Sequence, residues 1–152
     1  MMIRPVIAAA ALVAASYLST PVHAAPADEV TALYEQFVAA QNRHDLTTVR
    51  ALLVPTDAFV WVSDGKAFWG PETMIERMSR FQASEVWEVI PDRERRRFID
   101  LSADSAYLYQ PLTLRIGSAA QPDAIPFLVS VLCVQTEDGW RIKALLTTVE
   151  KP

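Results

Sequence analysis

The chain has 152 residues, of which 51% are hydrophobic and 21% charged, and its formal net charge is −4. A modestly acidic chain has no field that gathers nucleic acid and no basic amphipathic stretch to hold a membrane surface. One cysteine, Cys133, and two histidines, His23 and His44, leave no internal disulfide and few ligands for a zinc site.

Met1 to Pro5 carries one positive charge, Arg4; Val6 to Leu18 is an apolar run of 13 residues; Ser19 to Ala24 is more polar and ends Val22-His23-Ala24. That order is the signature of a secretory signal peptide, residues 1–24, cut after Ala24. The apolar run falls short of the roughly 20 residues that span a bilayer, which argues against an uncleaved anchor. Cleavage would leave 128 residues, enough for one domain with its own core. It would remove Arg4 and no acid, taking the net charge from −4 to −5. The expectation is an exported protein, periplasmic or secreted, with one domain over residues 25–152. No cofactor, metal, nucleic acid or membrane partner is expected of that domain.

Asp28 can cap a first helix, with Val30, Leu33, Tyr34, Phe37 and Val38 at helical spacing up to about Arg43. Asp45 caps a short second helix with Leu46, Val49, Leu52 and Leu53 on one face, stopped by Pro55. Asp57 to Ser63 reads as a strand, Asp64-Gly65 as a turn, and Gly70-Pro71-Glu72 as the start of a third helix bearing Met74, Ile75, Met78 and Phe81. Period two then takes over. Val86 to Ile90 is a strand that resumes over Arg95 to Leu101, and Ala106 to Ile116 is one long strand. Gly117 to Ala124 is a polar loop. Phe127 to Thr136 is apolar on both faces and therefore central in its sheet. Asp138-Gly139 is a hairpin signal, and Trp140 to Val149 closes the sheet. Three helices with one embedded strand, then an antiparallel meander, predict an α+β fold with the helices on one face of a sheet.

The ordered set Asn42, Asp45-Leu46, Leu52-Leu53, Asp57-Ala58, Asp64-Gly65, Gly70 with Glu72 and Ile75, and Asp138-Gly139-Trp140-Arg141-Ile142 resembles the NTF2-like superfamily. The SnoaL-like and DUF4440 groups of small stand-alone domains are most similar, over about residues 29–149. The resemblance implies a cone-shaped α+β fold, three N-terminal helices on a curved, mainly antiparallel sheet, a cavity at the wide end, and homodimers through the sheet. It implies no single activity, because the fold hosts isomerases, dehydratases, hydrolases and binding modules. Steroid isomerases of this superfamily use a Tyr donor and two Asp residues. By register those positions fall on Phe37, near Val62 and near Leu128, all apolar here. The dehydratase type needs cavity histidines, and His44 at a helix end is the sole histidine after residue 24. These departures weigh against either chemistry.

Two features remain. The aromatic set gives a pocket of Tyr34, Phe59, Trp61, Trp69, Met78, Trp87 and Tyr109, with Trp61 and Trp69 flanking a mouth loop at Ser63 to Ala67. Arg93, Arg95, Arg96 and Arg97 read as a solvated strand face paired to Glu88, Asp92, Glu94 and Asp100, with an anion patch as the rarer alternative. The leading expectation is a domain that binds a small apolar ligand, or a second copy of itself, without catalysis. An isomerase or lyase with Asp64 or Asp57 as base and Tyr34 or Tyr109 as proton donor is the first alternative. A protein-interaction module using the sheet face is the second. Cys133, in an apolar run, is expected to be a buried, inert thiol.

Overall fold

The computed structural model describes residues 25–152. The signal-peptide reading, with His23, lies outside the described residues. Among the described residues no helix is long and apolar enough to cross a membrane.

Helix α1 spans Pro26–Asn42. Its N-cap is Ala25, not Asp28: Pro26 presets the first helical φ, and Asp28 and Glu29 instead place their charge against the positive end of the helix dipole. Its C-terminus is closed by His44, which takes the left-handed conformation at φ 57°. The His44 N–H donates to the Gln41 carbonyl at 3.0 Å and the Asp45 N–H to the Ala40 carbonyl at 2.9 Å, a Schellman closure. Helix α2, Leu46–Ala51, follows at once, with the Asp45 carboxylate accepting from the Thr48 N–H at 3.0 Å. It ends before Leu52 and Leu53, because Leu53 forms a parallel bridge to Ile142.

Strands β1 (Val60–Ser63) and β2 (Lys66–Trp69) form a hairpin across Asp64-Gly65. Both turn residues have positive φ, 53° and 67°, the twist a two-residue hairpin requires. The expected mouth loop at Ser63 to Ala67 is therefore mostly this hairpin, and two strands rather than one separate α2 from α3 (Pro71–Phe81).

The remaining strands are β3 (Val86–Pro91), β4 (Arg97–Ser102), β5 (Ser105–Tyr109), β6 (Leu112–Gly117), β7 (Pro122–Thr136) and β8 (Gly139–Val149). They form one eight-stranded sheet, ordered β2-β1-β8-β7-β5-β4, with β6 and then β3 joined beyond the first half of β7. All pairings between named strands are antiparallel except β1 with β8. Strand β7 is central, as its two apolar faces predict: β8 lies along one side, and β6 and β5 share the other.

The long strand expected over Ala106 to Ile116 breaks at Gln110-Pro111, since proline offers no N–H to continue the ladder. Gln110, fully buried, bridges the break. Its side-chain amide donates to the Asp92 and Pro111 carbonyls, both at 2.8 Å, and its backbone N–H to Val129. The same break separates β3 from β4, which pair with different strands rather than running on as one. The Gly117 to Ala124 loop shrinks to four residues, since β7 already begins at Pro122. In the last hairpin the turn residues are Glu137-Asp138, with Gly139 already paired to Thr136 at φ 95°.

Helix α1 packs across β3, β4, β5 and β8. Val30, Leu33 and Phe37 meet Leu108, Val131, Cys133 and Ile142 in one buried cluster. Cys133 is wholly buried there, and loss of solvation pushes its thiol up to about 12.

Candidate functional site

Side chains do not fill the whole space between the helices and the sheet. A cavity of about 290 Å³ lies beyond the main core. Strand alternation builds its walls. Trp61 and Ser63 enter from β1, Trp87 and Val89 from β3, and Leu112, Leu114 and Ile116 from β6. Ile125, Phe127 and Val129 come from β7, and Leu145, Thr147 and Val149 from β8. Helix α1 supplies Tyr34, Phe37 and Gln41 at helical spacing, and α3 supplies Met74, Arg77, Met78 and Phe81. Asp64, at the hairpin tip, and Val149 are exposed, so the cavity reaches solvent at that end.

Of the expected pocket residues, Tyr34, Trp61, Met78 and Trp87 line this cavity. Phe59 does not; it is wholly buried core. Trp69 lies on β2, the sheet's last strand, 59% exposed and outside the cavity. Tyr109 points from β5 to the opposite sheet face, because its neighbour Leu108 takes the buried one. Of the four catalytic candidates, Asp64 and Tyr34 share the cavity while Asp57 and Tyr109 lie outside it. Burial raises the Tyr34 hydroxyl well above its ordinary value, and the nearby charges acting on it are Arg96, which lowers it, and Glu35, which raises it. The three positions inferred for steroid-isomerase groups also shift: Phe37 is on the wall, but the cavity sees Trp61 and Ser63 instead of Val62, and Val129 instead of Leu128.

Two polar groups in the wall are left without partners. Arg77 lies with its guanidinium carbon 4.5 Å from the ring centre of Phe68, 4.8 Å from Phe81 and 5.6 Å from Trp61. Its Nε is buried with no hydrogen-bond acceptor, as is the indole Nε1 of Trp87. Trp61 differs, because its indole N–H reaches the Thr147 hydroxyl at 3.3 Å, which in turn donates to the Val62 carbonyl at 3.1 Å. Sequence reading does not single out Arg77. The signal was its spacing, three residues after Met74 and four before Phe81, which puts a cation on the buried face of α3.

Three of the four clustered arginines pair with acids, largely other ones than expected, while Arg97 donates only to the Arg96 carbonyl at 2.9 Å. Arg93 makes a two-pronged contact with Glu35 at 2.9 and 2.7 Å, and Arg95 bridges Asp92 and Glu150 at 2.7 Å each. Arg96, only 14% exposed in its side chain, joins Glu35 and Gln110, while Glu88 pairs with Arg115. These arginines tie β4 and its approach to α1, the Gln110 break and the C-terminus. Among the described residues no three His, Cys, Asp or Glu side chains gather closely enough to share a metal ion.

Helices on one face of a mainly antiparallel sheet, with an apolar cavity between them, define an α+β domain of the NTF2-like kind. The chain belongs to the SnoaL-like domain family, whose model matches residues 30–145. No functionally curated protein has a matching sequence. Among solved structures, an uncharacterised protein with a cystatin-like fold from Caulobacter vibrioides is 16% identical with a TM-score of 0.71, over 83% of this chain and 90% of that one. An NTF2-like protein of unknown function from Shewanella oneidensis is 18% identical with a TM-score of 0.67, over 81% and 98%. A ketosteroid isomerase-like protein from Erwinia carotovora atroseptica is 18% identical with a TM-score of 0.65, over 82% and 96%. At these identities the likeness is one of fold.

Proposed function

We propose that this chain is an exported SnoaL-like domain that binds a small apolar molecule in the cavity between α1, α3 and the sheet, without converting it. The observation that carries this reading is the cavity wall, where Trp61, Trp87, Phe127 and aliphatic strand residues face empty space instead of one another. Apolar concave sites with a few polar groups are the common form of a small-molecule site. A water occupies about 30 Å³ of liquid, so 290 Å³ corresponds to a ligand of about ten non-hydrogen atoms. Calorimetric titration with octanol tests it: saturable one-to-one binding is expected, and heats no larger than dilution would contradict it.

The rival reading, an isomerase or lyase, has Asp64 and Tyr34 on one cavity in its favour. It lacks a contact between them. Export is supported by the sequence of residues 1–24, and the N-terminus of the exported form should be Ala25 by mass spectrometry.

Self-association through the sheet is the second part of the proposal. On the face away from the helices, Ile99, Tyr107 and Leu132 lie in one cross-strand row, and Tyr109, Ser130, Leu146 and Val62 in the next. Ile99 is 49% and Leu146 47% exposed. A second copy covering this face would remove those rows from water.

A further inference from the structure

Arg77 is a permanent cation placed on an apolar cavity. Three aromatic rings have their centres 4.5, 4.8 and 5.6 Å from its guanidinium carbon. Ring faces attract the cation but are poor substitutes for an oxygen acceptor of its N–H groups. No carboxylate of the described residues forms a salt bridge with it; Arg43, Arg97 and Arg141 also lack one, but they do not line the cavity. The Nε of Arg77 is sealed without an acceptor, and the two terminal nitrogens of that side chain make no hydrogen bond but are not sealed. A guanidinium with no acid partner beside an apolar space is satisfied best by an anion with more than one acceptor oxygen. Everything else on the wall except Asp64 and a few neutral polar side chains is carbon.

We infer that the cavity ligand is an amphipathic carboxylic acid of about ten non-hydrogen atoms, its carboxylate held by Arg77 and its apolar body lying among the aromatic and aliphatic side chains. This rests on the binding function proposed above and narrows it to one chemical class. The aromatic cage holds the guanidinium in place before the ligand arrives, so little side-chain entropy is lost on binding. A neutral ligand of the same shape can accept a hydrogen bond but leaves the charge of Arg77 uncompensated.

The test compares octanoate with octanamide and octanol, by calorimetry near pH 7, on the protein of residues 25–152 and on its Arg77→Met variant. Octanoate is expected to bind the unaltered protein at least about tenfold more tightly than octanamide or octanol, the size of one charge-assisted contact. In Arg77→Met that preference should vanish, and a preference for the acid that persists in a folded Arg77→Met protein would overturn the inference. Equal binding of acid, amide and alcohol to the unaltered protein would overturn the inference and leave the apolar-ligand function standing. Failure of all three to bind would overturn both. Should Arg77→Met not fold, the order of the three ligands on the unaltered protein decides alone.

Discussion

Asn42 and Val89 exchange a pair of hydrogen bonds: the Asn42 side-chain Nδ2 donates to the Val89 backbone carbonyl at 2.9 Å, and the Val89 N–H donates to the Asn42 side-chain Oδ1 at 2.7 Å. A side chain thus imitates a strand neighbour, and it anchors the last turn of α1 to β3. Phe37 and Gln41 on α1 and Trp87 on β3 are cavity wall, so this contact joins two elements that line the cavity. Asn42→Ala should cost about 1–2 kcal/mol in urea unfolding, since two partly buried bonds are lost and the Val89 groups are left to water. A change under about 0.5 kcal/mol, the level of an ordinary surface substitution, would mean the pair does not anchor the helix.

Acid should weaken the fold through Glu35. The Arg93 side chain, and secondarily Arg96, hold its carboxyl below the ordinary value of 4.5. A carboxylate lowered in the folded state stabilises fully above its unfolded value, and that contribution is lost as pH falls through the lowered one. Urea unfolding from about pH 5 to about pH 3 should therefore show a steeper loss for the unaltered protein than for Glu35→Gln. Parallel curves would show that the charge of Glu35 contributes nothing.

Light scattering at micromolar concentration should report twice the mass of one chain. Ile99→Glu with Leu146→Glu should give a single chain, because each puts a charge into the rows that a second copy would cover. A single-chain mass for the unaltered protein would contradict the sheet-face assembly.

Much of the fold was legible because it rests on local periodicity. Val30, Leu33, Phe37 and Met74, Met78, Phe81 mark helix faces, Leu112, Leu114 and Ile116 mark a strand face, and the two apolar faces of β7 place it centrally. What was missed depends on non-local pairing. Asp64-Gly65 marks the turn, but Lys66 to Trp69 is too short a run to show by its own pattern that it pairs with β1, and so Trp69 reads as a mouth residue. Gln110-Pro111 interrupts what is otherwise one ladder, since β5 and β6 keep the same register along β7, and the buried role of Gln110 depends on partners distant in sequence. The cavity itself was half legible. Alternation places Trp61 and Trp87 inward, but periodicity cannot distinguish a wall from a filled core, and so Phe59 was grouped with them. Arg77 escaped because a charge within a helix reads as solvated until its aromatic neighbours are known.

The central claim is that the cavity is a binding site, and filling it is the most direct test. Leu114 is half-buried on the cavity side of β6, facing the space with room for a larger side chain. Leu114→Trp would occupy that space with a ring. Calorimetry with octanol on this variant should show affinity reduced by about tenfold or more, with the urea midpoint unchanged or raised, because an indole replaces a void. Undiminished octanol binding to a folded Leu114→Trp protein would place the ligand elsewhere and contradict the account.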